Sequence, residues 1–311
     1  MEKPIKLIVV SGPTACGKTS LGIKIAKAFG GEVISADSMQ IYRGIPIATA
    51  QPDAAEQDGV PHRLMGFLDV GTPFSVAEYC DLAHQNIAEV WEAGKLPIMV
   101  GGTGLYVDSV ADDIKFSAHG STEIRWRLQK EWQEIGADAM YERLLKVDPV
   151  AAEKIEKENM RRVIRALEVY EATGIPFSRH VELSRQTPSR YDVVRLNIAF
   201  LDREKLYKRI NDRVDRMLEN GILEEALAFR DKTAKSGAGQ AIGHKELYPY
   251  IDGEISLEEA AENLKRATRR YAKRQMTWFF RNKEAHTLFA DCEDVFEKAC
   301  EILKGEGLSC R

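Results

Sequence analysis

The run Ile8-Val9-Val10-Ser11-Gly12-Pro13-Thr14-Ala15-Cys16-Gly17-Lys18-Thr19 decides how the start of this chain is read. Leu7 to Ser11 is a short apolar stretch, too brief for a helix and bounded by Gly12-Pro13, so it reads as a buried parallel strand. Thr19 to Phe29 has helical spacing and stops at Gly30-Gly31. Between them lies Gly12-x4-Gly17-Lys18-Thr19, and a strand before and a helix after is the context in which that pattern forms a phosphate-binding loop. Its glycines let backbone N–H groups close around phosphate oxygens, and the helix N-terminus adds positive potential. Lys18 neutralises a terminal phosphate and Thr19 offers a hydroxyl to Mg²⁺. Kinases, GTPases and ATPases share such a loop, so the rest of the chain has to choose among them.

Working outward, Val33-Ile34-Ser35-Ala36 is a second buried strand that ends in Asp37-Ser38. A helix from about Ser75 to Ala93 ends at Gly94 and leads to a third strand, Pro97 to Val100, followed by Gly101-Gly102-Thr103-Gly104. Strand alternating with helix is the rhythm of an α/β fold, a P-loop NTPase-like parallel sheet flanked by helices. Ligands in such sheets sit beyond the carboxyl ends of the strands, so the loop, Asp37-Ser38 and Gly101–Gly104 should converge on one site. A P-loop NTPase usually has another apolar strand ending in an aspartate that holds the magnesium shell. Here Pro97–Val100 ends in Gly-Gly-Thr-Gly, and the carboxylate on a matching strand end is Asp37. It can steady magnesium-bound water, take a proton from a nucleophile, or simply form a turn.

From about Phe116 the texture changes. Residues 116–192 carry helical patterns and almost nothing strand-like: Asp148-Pro149 is a cap followed by a first-turn proline, and Asn159 caps a helix running to Gly174. Val193 to Phe200 reads as a strand again, Asp202 caps a helix to Gly221, and Ser256-Leu-Glu-Glu259 is a capping box opening a long helix to about Asn282. The expected organisation is therefore a P-loop core over residues 1–115, an all-helical insertion domain over 116–192, and the rest of the core, with a basic C-terminal helix, over 193–311.

Composition narrows the class. The 311 residues are 44% hydrophobic and 30% charged, as in an ordinary globular protein. Net charge is −4, so any nucleic-acid binding must come from a local basic surface. Five cysteines (16, 80, 292, 300 and 310) have no Cys-x-x-Cys pair, which argues against a disulfide frame or a zinc site. The first residues run straight into a strand, and no apolar run is long enough for a membrane span, so a cytoplasmic protein is expected.

The local basic surface is present. The final long helix carries Lys265, Arg266, Arg269, Arg270, Lys273 and Arg274, with Arg281 and Lys283 beyond Trp278, while Leu264, Ala267, Tyr271 and Trp278 supply its packing face. Arg161, Arg162 and Arg165 follow the Asn159 cap, and positions 161 and 165 share one helix face. Arg209, Arg213 and Arg216 form a third set, and an arginine there can reach back to the phosphate site. A basic run alone is commonly a solvated helix face; several together suit a polyanion.

Taken together these residues resemble the bacterial tRNA dimethylallyltransferases, the tRNA isopentenyltransferase family. The likeness rests on Gly12–Thr19, Asp37-Ser-Met-Gln-Ile-Tyr-Arg43, Val100-Gly-Gly-Thr-Gly-Leu-Tyr106, Asn159-Met-Arg-Arg-Val-Ile-Arg-Ala-Leu-Glu168, Gln240-Ala-Ile-Gly-His-Lys-Glu246 and Tyr271-Ala-Lys-Arg-Gln-Met-Thr-Trp278. The family joins the dimethylallyl group of dimethylallyl diphosphate to N6 of an adenosine next to the tRNA anticodon. The resemblance implies that Gly12, Pro13, Thr14, Ala15, Cys16, Gly17, Lys18 and Thr19 hold the diphosphate, with Thr19 on Mg²⁺. It implies that Lys18 and Arg209 stabilise the leaving group and that Asp37 accepts the N6 proton. Ser38, Met39, Gln40 and Thr103 would line the pocket of a flipped adenine. Arg161, Arg162, Val163, Ile164 and Arg165, with Ile242, Gly243, His244, Lys245 and Glu246, would grip the anticodon stem-loop. A monomer is expected. Cys16 stands where the family commonly has serine, His244 where tyrosine is frequent and Gln51 where lysine is frequent; the last two bear on tRNA contacts. The rivals are an adenylate isopentenyltransferase acting on free AMP, ADP or ATP, and a nucleoside-type kinase. The arginine-bearing insertion disfavours the first, and the missing second aspartate-ended strand disfavours the second.

Overall fold

Leu7, Ile8, Val9 and Val10 have no exposed surface, as a strand covered on both faces requires. The structure is a computed structural model and describes residues 4–114, 121–185, 189–233, 239 and 241–310. Among them the strands run in chain order as β1 (Ile5–Ser11), β2 (Gly31–Ser35), β3 (Tyr42–Arg43), β4 (His62–Arg63), β5 (Leu68–Asp69), β6 (Leu96–Gly101), β7 (Tyr191–Ala199) and β8 (His286–Phe289). Six of them form one sheet in the order β4-β2-β6-β1-β7-β8, every neighbouring pair parallel, and β3 pairs with β5 in a small ribbon. β1 therefore sits inside the sheet, and the loop that follows it opens beyond the carboxyl edge, between the ends of β6 and β7.

Ile8, Val10, Ile98 and Val100 alternate along β1 and β6 and pack with Leu21 and Ile25 of the helix Lys18–Phe29 and with Ala299 and Leu303 of the helix Val295–Gly305. The helix Val76–Glu92 opens on a complete capping box, Ser75 accepting from Glu78 N and Glu78 from Ser75 N. The chain divides into two units: Met1–Ala111 with Arg190–Arg311, which holds the sheet, and Asp112–Ser189, which is helical. The expected boundary at Phe116 lies outside the described residues. The expected return to the core at 193 comes two residues too late, because Tyr191 and Asp192 already pair with Ile5 and Lys6.

The helical unit has its own core of Leu128, Met140, Leu144, Val163, Ile164 and Leu167. Its long element Thr122–Val147 breaks at Gly136, whose φ of 83° a side chain would strain. Asp148 caps the turn Pro149–Ala152 through Ala151 N and also accepts from Ser178 N and Oγ, while Asn159 caps Met160–Thr173.

Candidate active site

The phosphate loop is braced from three sides. Thr14 N donates to Gln275 Oε1 at 2.8 Å, Arg209 Nε donates to Ala15 O at 3.0 Å, and Lys18 Nζ donates to Pro13 O at 3.4 Å. At Gly12 a Cβ would lie 2.7 Å from Ile198 O, and Gly17 turns the chain into the helix Lys18–Phe29 with φ 98°. The Cys16 side chain is buried, and that burial pushes its thiol pKa up, so the residue lends its backbone rather than its sulfur.

Gly101–Gly104 closes the other side by close approach. A Cβ on Gly101 would stand 2.1 Å from Ala36 O, one on Gly102 2.3 Å from Gln275 Nε2, and one on Gly104 2.2 Å from Trp278 Cδ1. Gln275 Nε2 donates to Gly102 O at 2.9 Å, so one buried amide ties the phosphate loop to the end of β6. Trp278 Nε1 donates to Asp108 Oδ2 at 2.7 Å and fixes the neighbouring turn of the same helix. Thr103 Oγ1 accepts from Ser38 N at 2.9 Å and thereby sets the backbone next to Asp37.

Asp37 stands just beyond β2, half-buried, with Oδ1 accepting from Met39 N at 2.9 Å. It lines a cavity of about 360 Å³ together with Thr14, Lys18, Thr19, Ser38, Met39 and Gln40. Lys245, Tyr271 and Arg274 line the same cavity, and burial, then the Asp37 carboxylate, pushes the Tyr271 pKa well up. A second, more open cavity of about 1010 Å³ lies over Ala15, Gly17, Lys24, Arg209 and Arg216. Lys18, Thr19 and Arg213 line both, so they mark where the two spaces meet. Burial lowers the pKa of Arg213 and the Asp37 carboxylate opposes that shift. No hydrogen bond or ion pair among the described residues occupies the Arg213 guanidinium. The sequence places Arg213 in a basic set but singles out Arg209 for the leaving group; the structure puts both at the loop, with Arg213 the one that also faces Asp37's cavity. Gln275 carries a signal in the sequence, a neutral amide inside a basic helix, yet its partners are 261 and 173 residues away.

Several expected tRNA contacts have other partners. Val163 and Ile164 belong to the core of the helical unit and are 0% and 3% exposed, because five consecutive helical residues cannot all point away from the core. Arg165 Nη1 donates to Glu168 Oε2 at 3.2 Å, on a carboxylate that Arg125 also holds; Arg161 and Arg162 stay exposed. His244 is buried, bonded through Nε2 to Glu225 Oε1 at 2.8 Å, and Glu246 accepts from Gly243 N at 2.8 Å to cap the helix His244–Ile251. Ile242 and Lys245 face the 360 Å³ cavity, and Gln240 lies outside the described residues. Gln51, expected to bear on tRNA, spends its amide on Gln40 O and Tyr42 O at 3.0 and 2.7 Å.

The basic helix spans Leu257–Phe279 and stops short of Asn282. It buries Leu264, Thr268, Ala272, Gln275 and Phe279, a face that includes two polar residues and not the expected Ala267 and Trp278. Part of its charge is internal: Lys265 pairs with Asp215 at 2.6 Å, and Arg269 with Glu262 and Asn211 at 2.7 Å each. Arg270, Lys273 and Arg274 remain exposed. Among the described residues no group of three or more His, Cys, Asp or Glu side chains could hold a metal ion, and no helix is long and apolar enough to cross a membrane.

Comparison with known proteins gives the family. A family model described as IPP transferase matches residues 40–283. A tRNA dimethylallyltransferase from Acetivibrio thermocellus is 46% identical over 305 residues, covering 96% of each chain. One from Geobacillus kaustophilus is 49% identical over 276 residues, covering 88% of this chain and 87% of its own. Among solved structures, a full-length tRNA isopentenylpyrophosphate transferase from Bacillus halodurans superposes with a TM-score of 0.71 at 42% identity, over 97% of this chain and 95% of that one. A eukaryotic dimethylallyltransferase acting on tRNA gives 0.79 at 31% identity, over 92% of this chain and 74% of the other. With matches of that identity along nearly the whole chain, this protein belongs to the IPP transferase family, that of the tRNA dimethylallyltransferases.

Proposed function

We propose that this chain transfers a dimethylallyl group from dimethylallyl diphosphate to N6 of the adenosine adjacent to the anticodon in tRNA, releasing diphosphate. The observation that carries the reading is that Lys18, Thr19 and Asp37 line one cavity, a diphosphate cradle facing a carboxylate. The adenine N6 amine attacks the allylic carbon, the carbon–oxygen bond to diphosphate breaks, and the N6 proton passes to an Asp37 oxygen. An exocyclic amine is a poor nucleophile, which is why the carboxylate is needed. Lys18, Arg213 and Arg209 offset the negative charge that grows on the departing diphosphate. Oriented N–H groups of Gly12–Thr19 cradle the same oxygens.

Thr19 is the residue that would hold Mg²⁺. Thr19 lines both cavities, and with no group of three or more His, Cys, Asp or Glu side chains able to hold a metal among the described residues, the ion would draw its remaining ligands from diphosphate and water. When bound, the ion supplies further charge neutralisation at the diphosphate. The accepting base must leave its stack to reach the cavity. Ser38, Met39 and Gln40 line the cavity with Asp37 to receive it, Thr103 holding the Ser38 backbone, and exposed Arg161, Arg162, Arg270 and Lys273 supply cations for the tRNA backbone. The enzyme is read as a cytoplasmic monomer without a membrane partner.

The test is to offer labelled dimethylallyl diphosphate and Mg²⁺ with either unmodified tRNA or AMP and to follow label into adenosine. Label is expected on tRNA alone. Label on AMP but not tRNA would make the protein an adenylate isopentenyltransferase, and phosphate transfer from ATP would make it a kinase.

A further inference from the structure

Glu225 is 8% exposed, lies in the helix Ile222–Thr233, and has no part in the chemistry above. Its carboxylate nevertheless accepts three hydrogen bonds. Ile47 N donates to Oε2 at 2.8 Å, Ala48 N donates to Oε1 at 2.9 Å, and His244 Nε2 is 2.8 Å from Oε1. A carboxylate accepts, so the imidazole nitrogen is the donor. Ile47 and Ala48 belong to the one-turn helix Pro46–Thr49, whose Ile45 N-cap offers no side-chain acceptor, so Glu225 supplies the cap from elsewhere in the chain. Ala48 and Ile222 also share an apolar cluster with Leu247, and a Cβ on Gly243 would stand 3.0 Å from Ala48 Cβ.

The opposite end of that turn faces the site. Gln40 Nε2 donates to Thr49 O at 3.3 Å and to Ala50 O at 3.0 Å, while Gln40 Oε1 accepts from Ser35 Oγ at 3.0 Å. Both amide hydrogens are therefore placed by the carbonyls of the turn that Glu225 holds. Gln40 lines the cavity beside Asp37. We infer that Glu225 and His244 form a positioning pair for the reaction. Acting through the turn Pro46–Thr49, they fix the orientation of the Gln40 amide and hence the wall that receives the accepting base. This rests on the proposed reading of the cavity as the site of the tRNA base. It also gives His244 a role inside the protein rather than on the tRNA.

The test measures steady-state kinetics with full-length protein, unmodified tRNA and dimethylallyl diphosphate, with thermal unfolding recorded for each variant. The series is His244→Phe, which removes the donor, His244→Gln, which returns an N–H at similar reach, Glu225→Ala, Gln40→Ala, and the double variant Glu225→Ala/Gln40→Ala. His244→Phe and Glu225→Ala should raise KM for tRNA about tenfold, the scale of an unpaired buried polar group. KM for the donor should hold, and His244→Gln should restore most of the tRNA KM. The double variant should be no worse than the poorer single one, because the two act through one amide. Equal losses toward donor and tRNA, no rescue by His244→Gln, or fully additive losses would overturn the pairing. If Gln40→Ala itself leaves the tRNA KM unchanged, it is the reading of the cavity as the base site that fails. If His244→Phe and Glu225→Ala are too unstable to assay, His244→Gln decides against the parent: a tRNA KM within about threefold supports the pairing, and a rise of about tenfold overturns it.

Discussion

Replacing Gln275 with leucine keeps the bulk of the side chain and removes the amide that joins the phosphate loop to Gly102. Thr14 N–H loses its 2.8 Å acceptor and Gly102 O loses its 2.9 Å donor, both in a region where Gln275 is 4% exposed. Each orphaned buried group costs about 1–3 kcal/mol. Tyr271 Oη, 3.5 Å from Gly102 O, can recover part of the second, so the sum should be about 2–4 kcal/mol. In a unit of this size that corresponds to a melting temperature lower by roughly 5–15 °C. The functional effect should be directional. Thr14 sits in the loop proposed to hold diphosphate, so KM for dimethylallyl diphosphate should rise about tenfold, a change of about 1.4 kcal/mol, while KM for tRNA stays within about twofold. Scanning calorimetry and steady-state kinetics read the two quantities on one preparation. A melting temperature within a degree or so of the parent, together with an unchanged donor KM, would refute the claim that this amide braces the loop.

Three further outcomes follow from the geometry. Arg213→Gln should lower kcat by about a hundred- to thousandfold with little change in stability, since that guanidinium has no hydrogen bond or ion pair to lose among the described residues; a rate loss larger in Arg209→Gln than in Arg213→Gln would reverse the assignment. Gly101→Ala places a Cβ 2.1 Å from Ala36 O, so the strand ends must part, and denaturant unfolding should show a loss of about 2–4 kcal/mol; a loss below about 0.5 kcal/mol would show the junction to be loose. Arg161→Ala with Arg162→Ala should reduce the slope of log K against log salt for tRNA binding by about 1.5; an unchanged slope would make both a solvated helix face.

The parts of the fold that were legible in the sequence are those fixed by local patterns. The strand before the loop, the helix after it, the Asn159, Asp202 and Ser256 caps and the helical unit follow from periodicity and capping within one or two turns of chain. The strands Tyr42–Arg43, His62–Arg63 and Leu68–Asp69 are too short for a period to show, and His286–Phe289 is an edge strand that acquires its conformation by pairing with β7. The site was legible as a set of strand ends because topology brings such ends together. What holds those ends in place was not. Gln275 and Glu225 act across long separations, and a lone polar residue in a helix does not announce its partner. The same blindness turns a contiguous motif such as Arg161–Arg165 into five contacts, although helical geometry allows only some of them to face outward.

The central claim is that Asp37 takes a proton from a base brought to a diphosphate held by Gly12–Thr19. The direct measurement is single-turnover prenylation by Asp37→Ala beside equilibrium binding of tRNA and of dimethylallyl diphosphate to the same variant. The rate should fall by about 10²–10⁴, with both affinities within about threefold of the parent. A near-normal rate, or a rate lost only because the donor no longer binds, would contradict it.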